Sequence, residues 1–229
     1  MTDEDADPVM EATYRALCSH GYASLTMQDI ANETDVSKAA LHYHYDSKHD
    51  LLVSFLDYLY AEFTDRVRDP EGATPVERLK AFIDDVLVPP EPDEDERVAF
   101  GTALLELKSQ APYDEDVRER MERFDSFLNE QARTILTDGI EAGEFRAVDS
   151  EDTARFLVTA LDGAGTKRVS VGQDTDCTRR MLHAYVETQL VAAEQTVGDS
   201  GEKDAGTDAE TEADTTGDDG CPSLREVTE

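Results

Sequence analysis

The chain is 229 residues long and sets 53 acidic against 21 basic side chains, a formal net charge of −32. That length holds one large domain or two small ones, and without any run of some eighteen apolar residues no helical membrane span is expected. The opening MTDEDADP is acidic where a secretory leader is basic and then apolar, so no leader is expected, and Cys18, Cys177 and Cys221 are too few and too far apart for a disulfide framework or a metal signature.

The acidity is not confined to one end. The segment from Gly198 to Glu229 holds only eleven of the acidic residues, so the rest of the chain is itself acidic, and only six of the basic residues are lysines. A general excess of carboxylates repels itself and is tolerable where salt screens it. At about 1 M salt the screening length is about 3 Å. The composition therefore reads as that of a halophile's protein.

Taken in order, Met1–Asp7 is an acidic arm and Pro8 stands at a first helical position. A helix is expected from there to about His20, with Val9, Ala12, Ala16 and Leu17 as its apolar stripe and Gly21 as its stop. Thr26 is an N-cap with Asp29 three residues on, close to a capping box. Ile30 and Ala31 give this second helix a buried side, and Thr34-Asp35-Val36 makes a turn with Val36 plugged inward. Ser37 caps a third helix in which Leu41 faces in while Lys38, Ala39, His42 and Tyr43 face out. Two short helices joined by a tight turn, the second offering small and hydrogen-bonding side chains, have the shape that enters a major groove.

Beyond this motif a long helix runs from Lys48 to about Val67, with Leu51, Leu52, Phe55, Leu59 and Phe63 at helical spacing. Pro70 and Gly72 break the chain, and Pro75-Val76 begins a helix lined by Leu79, Phe82, Ile83, Val86 and Leu87. A proline-rich, acidic break follows from Pro89 to Asp95. Further helices are expected over Arg97–Gln110, from Asp114 or Asp116 to about Ala142, over Ser150–Val171 and over Thr175–Ala193. Met121, Phe124 and Phe127 are expected to face inward on the second of these; the third presents Phe156 and Leu157, and the fourth Met181 and Leu182. From Gly198 the chain has hardly any large apolar residue, so a segment there cannot bury enough surface to order itself. No strand pattern and no internal repeat appear.

The run from Tyr14 to Leu56 resembles the DNA-binding domain of TetR-type transcriptional regulators. The matching residues are Gly21 followed by Thr26, the Ile30-Ala31 pair, Val36-Ser37-Lys38, Leu41, the aromatic and histidine cluster His42–Tyr45, Ser47-Lys48 and Leu51-Leu52. About nine features in fixed order over about forty residues are far more specific than a lone helix-turn-helix. Thr34-Asp35 departs from the Ala-Gly usual at the family's turn, and His42 stands where an aromatic is frequent. Glu141–Arg146 (EAGEFR), Asp149 and Leu161-Asp162-Gly163 look like parts of the family's C-terminal body.

This resemblance implies an all-α fold. A three-helix helix-turn-helix DNA-binding domain would span 8–67, with the motif at 26–45. A helical ligand-sensing and dimerisation domain would span 75–195, and an acidic tail 198–229. It implies a cytoplasmic regulator, a homodimer on double-stranded DNA, most simply a repressor released from a palindromic operator by a small apolar inducer. An activator or architectural binder without an inducer is the alternative. DNA contacts fall by resemblance on Thr26, Gln28, Ser37, Lys38, Ala39, Ala40, His42, Tyr43, His44 and Lys48. The inducer would meet Phe82, Val86, Phe100, Leu104, Phe124, Phe127 and Phe156, and the last two helices would pair between subunits.

No enzyme motif competes: there is no glycine-rich phosphate loop, nucleophile elbow or zinc-binding helix, and no cofactor is expected. His42, His44 and His49 are dense locally, but residues two apart on a helix diverge and no Cys or Glu stands at supporting spacing. No metal is expected from them. Glu106, set among Leu104, Leu105 and Leu107, reads as the edge of an amphipathic helix or as a group orienting a cationic ligand.

Overall fold

A computed structural model describes residues 8–87 and 94–192. The acidic arm 1–7, most of the proline-rich break and the segment 198–229 lie outside the described residues. The fold is all-α, and its helices are α1 (Pro8–Ser24), α2 (Met27–Asn32), α3 (Lys38–His44), α4 (Lys48–Val67), α5 (Pro75–Leu87), α6 (Glu94–Lys108), α7 (Glu115–Glu141), α8 (Ser150–Val171) and α9 (Asp176–Tyr185).

Short polar side chains start most of these helices. Thr26 accepts from the Asp29 amide while the Asp29 carboxylate accepts from the Thr26 amide, a complete capping box. Ser37 accepts from the Ala40 amide, Ser47 from Asp50, Asp114 from Val117 and Asp149 from Asp152. Each satisfies an amide that helix geometry leaves without an internal partner, worth about 1 kcal/mol. Gly21 has φ 69° and ψ 164°, so α1 breaks there, as its sequence predicts, and a last turn continues to Ser24.

Two large apolar cores, with a smaller cluster of Leu56, Leu107 and Val117 beside them, hold the helices. Near the amino end, Met10, Ala12, Ala16 and Leu17 of α1 close over Leu25, Ile30, Leu41, Leu51, Leu52 and Phe55. Further along, Leu79, Phe82 and Ile83 of α5 meet Ala132, Ile135 and Leu136 of α7, Leu157 and Leu161 of α8, and Leu182, Val186 and Leu190. Full burial of one such side chain stabilises by about 1.5–3 kcal/mol. Ala103 of α6 is buried in the first core, with Phe100 packed against it. The middle of the chain thus completes the packing of its amino-terminal part.

Two details differ from the sequence reading. The sixth helix is Glu94–Lys108 instead of Arg97–Gln110, and backbone turns over 109–113 replace its expected end. The last helix stops short of Ala193: it widens into a π-helical turn over Val186–Leu190, which places Val186 and Leu190 together in the core. Phe145 and Val191 then form an antiparallel bridge, in which the Arg146 amide donates to Leu190 at 2.7 Å and the Ala192 amide to Glu144 at 2.8 Å. Gly139 makes this possible, since a Cβ there would lie 2.1 Å from the buried Phe145 ring. Phe156 and Met181 are exposed, while the neighbouring Leu157 and Leu182 occupy the core-facing positions.

Candidate nucleic-acid interface

Helix α3 has one buried side chain, Leu41, anchored in the amino-terminal core. The rest of the helix is turned out: Lys38, Ala39, His42, Tyr43 and His44 are exposed, Ala40 is half-buried, and Tyr43 reaches 86% exposure. Tyr45 packs against the core. The Tyr43 and His44 rings meet edge to face at 5.2 Å, so they stand out side by side. The Thr34 hydroxyl accepts from the Val36 amide at 3.4 Å and shapes the turn between α2 and α3. Thr34-Asp35 therefore makes this turn without glycine.

Around α3 the supports come from elsewhere in the chain. Arg15 of α1 donates to the Glu33 carbonyl at 2.7 Å and faces its carboxylate at 3.4 Å, strapping α1 to the end of α2. Thr26 is exposed, but its hydroxyl is already given to Asp29 at 2.6 Å. The first-turn amides of α2 remain the donors that a phosphate could use there. That hydroxyl bond, outweighing the opposing effect of burial, holds the Asp29 carboxyl below the usual aspartate range, with the Thr26 amide and His20 adding to it. Gln28 is exposed and donates to Asn32 at 3.0 Å. Lys48 is half-buried, its Nζ donating to the Tyr22 carbonyl at 3.1 Å and lying 5.0 Å from that ring's centre.

Tyr22 is also held from the other side. Its amide donates to Glu106 of α6 at 2.7 Å, across 84 residues of sequence. Glu106 is therefore neither a helix edge nor a cavity group; it caps the break that Gly21 makes in α1. Nothing local in the sequence pairs these residues. The only hint is that Gly21 leaves a backbone amide in need of an acceptor.

Helices α1, α4, α5, α6, α7 and α8 surround an open cavity of about 1560 Å³. Val86, Phe100, Leu104 and Phe124 line it, joined by Tyr14, Tyr58 and Phe63. Three residues expected there do not. Phe82, one helical turn before Val86, is sealed in the second core with no exposed surface. Phe127 turns to Tyr60, with ring centres 6.0 Å apart, and Phe156 points outward beside Tyr185 at 5.3 Å. His183 faces Asp84 at 2.9 Å, and His49 faces Asp114 and Asp116, each at 3.2 Å.

A short capped helix, a turn and a second helix with one core anchor and a polar outer face define a helix-turn-helix DNA-binding protein. Residues 9–55 match the model of bacterial regulatory proteins of the tetR family, and residues 75–191 match the C-terminal domain of BetI-type transcriptional repressors. The chain belongs to the TetR family of transcriptional regulators. It is similar to a TetR regulator of Haloarcula marismortui, at 42% identity and a TM-score of 0.73, over 80% of this chain and 96% of that one. It is also similar to the transcriptional repressor AcnR of Corynebacterium glutamicum, 25% identical over 73% of this chain and 83% of that protein. The repressor KstR2 of Mycobacterium tuberculosis is 28% identical over 65% of this chain and 74% of its own length. Among the described residues no helix is long and apolar enough to cross a membrane.

Proposed function

We propose that the chain is a cytoplasmic homodimeric repressor that binds a palindromic operator and leaves it when a small, largely apolar molecule fills its cavity. The outer face of α3, with Lys38, Ala39, His42, Tyr43 and His44 exposed around the buried Leu41, carries this reading. Ser37 and Lys38 stand where base edges and phosphates come within reach, Ala39 and Ala40 let the helix seat closely, and Tyr43 gives its hydroxyl to a phosphate. Gln28 and the first-turn amides beside Thr26 meet the backbone. Lys48 keeps Nζ donors beyond the one it gives Tyr22, and supports the same strand.

The division of labour is 8–67 for DNA and 75–195 for ligand and partner. Two heads about 34–36 Å apart match successive major grooves, and the outward Phe156 and Met181 supply apolar surface for pairing two copies through α8 and α9. Release is a population shift toward a spacing that no longer matches the operator. Its route begins at α6, which lines the cavity with Phe100 and Leu104 and holds the head through Glu106 and Tyr22. The acidic surface adapts the protein to molar salt, in keeping with its haloarchaeal relative. In such salt counterion release weakens phosphate contacts, so close contacts at bases and helix termini carry more of the affinity.

Footprinting upstream of the chain's own gene in molar potassium chloride tests the reading. Protection of two half-sites one helical turn apart is the expected result. No protection at any salt, with a folded dimer in hand, overturns it.

A further inference from the structure

We infer that His49, Asp114 and Asp116 form a binding site for a divalent transition-metal ion, which pins the start of α4 to the start of α7. The three residues come from two elements and lie close together: His49 Nδ1 is 3.2 Å from Asp114 Oδ2, and His49 Nε2 is 3.2 Å from Asp116 Oδ2. One ligand atom from each residue lies within 4.8 Å of the others. An ion about 2.1 Å from each ligand sets them about 3.4 Å apart, a change that rotation of these exposed and half-exposed side chains accommodates.

The Asp114 oxygen that faces His49 is aimed there by a bond on the other side of its carboxylate, and Asp116 has a long ion pair on its other side. Asp114 Oδ1 accepts from the Val117 amide at 3.1 Å, which leaves Oδ2 for the ring. Asp116 Oδ1 lies 4.0 Å from Arg120 Nη1, while Arg120 gives its closer contacts, 3.2 and 3.3 Å, to Asp57. Such outer bonds orient ligands in metal sites. A neutral imidazole carries one N–H, so it satisfies one carboxylate and turns a lone pair toward the other. One carboxylate then faces a lone pair with no proton between them, and with the second carboxylate close by, a divalent cation is what neutralises the pair. One imidazole with two carboxylates suits zinc, manganese or cobalt better than magnesium or calcium, which prefer oxygen alone.

The position gives the ion something to do. His49 stands five residues beyond the end of α3, and α7 contributes Met121 and Phe124 to the cavity wall. A bound ion therefore joins the DNA-facing part of the chain to the wall of the cavity. Sequence spacing hides the site, because the carboxylates come more than sixty residues after the histidine.

Zinc chloride titrated calorimetrically into the full-length protein in molar potassium chloride, with magnesium in large excess, tests the site without DNA. The expected result is one zinc per chain, weakened about tenfold or more in His49→Ala and in Asp116→Asn and unchanged in His183→Ala. Zinc should also raise the melting temperature of the parent and leave that of the two site variants where it was. All substituted side chains reach the surface, so matched circular dichroism spectra will confirm folding. Absence of saturable zinc binding, binding that survives both site variants, or binding lost in His183→Ala overturns the inference.

Discussion

The two outward faces of the molecule differ in kind. On α3 the exposed groups are a lysine, two histidines and a tyrosine around small residues, and Tyr43 is the one large hydrophobic side chain left exposed among the described residues of α1–α4. On α8 and α9 the exposed groups include Phe156, Val171 and Met181. A face rich in hydrogen-bonding tips with little apolar area fits a polar, charged partner. A face that leaves whole apolar side chains in water fits a protein partner. The contrast matches the proposed division between DNA contact and subunit contact, and each half of it can be broken by substitution.

The largest effect is expected where the DNA face is anchored. Leu41 is 1% exposed and is the single buried residue of α3. Leu41→Ala removes that anchor and should cost about 2–5 kcal/mol, abolishing operator binding. Hydrogen exchange should show α2 and α3 opening while the core built on Leu79, Phe82 and Leu157 keeps its protection. If both regions lost protection together, the amino-terminal core would not be an energetic unit of its own.

Next comes the apolar face. Phe156→Glu and Met181→Glu place a charge where the second copy is proposed to pack, and should weaken dimerisation by about 2 kcal/mol or more each, as for aromatic and other anchors at interface centres. Sedimentation should then find monomers at concentrations where the parent is dimeric, with helicity unchanged because neither side chain is in a core. A dimer that tolerates both charges would place the interface elsewhere. Smaller again is Tyr43→Ala, which removes one phosphate bond of about 1 kcal/mol. Operator and random DNA should weaken alike, by about five- to tenfold, in a titration at fixed salt.

Local pattern made the DNA face legible in the sequence. Thr26 with Asp29, Ser37 with Ala40, and Leu41 among outward neighbours are relations within four residues, and the structure repeats them. The apolar face is half legible: the helices follow from periodicity, but a stripe that presents Phe156 with Leu157 and Met181 with Leu182 does not say which of each pair the core takes. The links between regions were not legible at all. Glu106 with Tyr22 spans 84 residues, and Arg120 with Asp57 spans 63; in a chain this acidic, any carboxylate is a plausible partner. The same holds for the cavity, where Phe82 and Val86 share a helix face and only depth decides which is sealed in the core.

The mildest prediction sets one carboxylate from each half of the molecule against the other. Asp29 is held below the usual aspartate range, first by its bond from the Thr26 hydroxyl. Asp85 of α5 is pushed above it, first by burial and further by Asp84 and Glu71, against the pull of Arg66. Between the lowered value of Asp29 and the ordinary one, the unfolded chain binds more protons, so stability rises with pH. That contribution is complete above the ordinary range and is lost as pH falls through the folded value. For Asp85 the sign reverses: between the ordinary value and its raised one the folded chain binds more protons, and stability falls as pH rises. Melting curves followed across acid pH should therefore show Asp29→Asn flattening the slope below the usual aspartate range, and Asp85→Asn flattening an opposite slope just above it. A parent-like profile in Asp29→Asn would mean that Thr26 does not distinguish the carboxylate from an amide. In that case the capping box would contribute nothing to acid sensitivity.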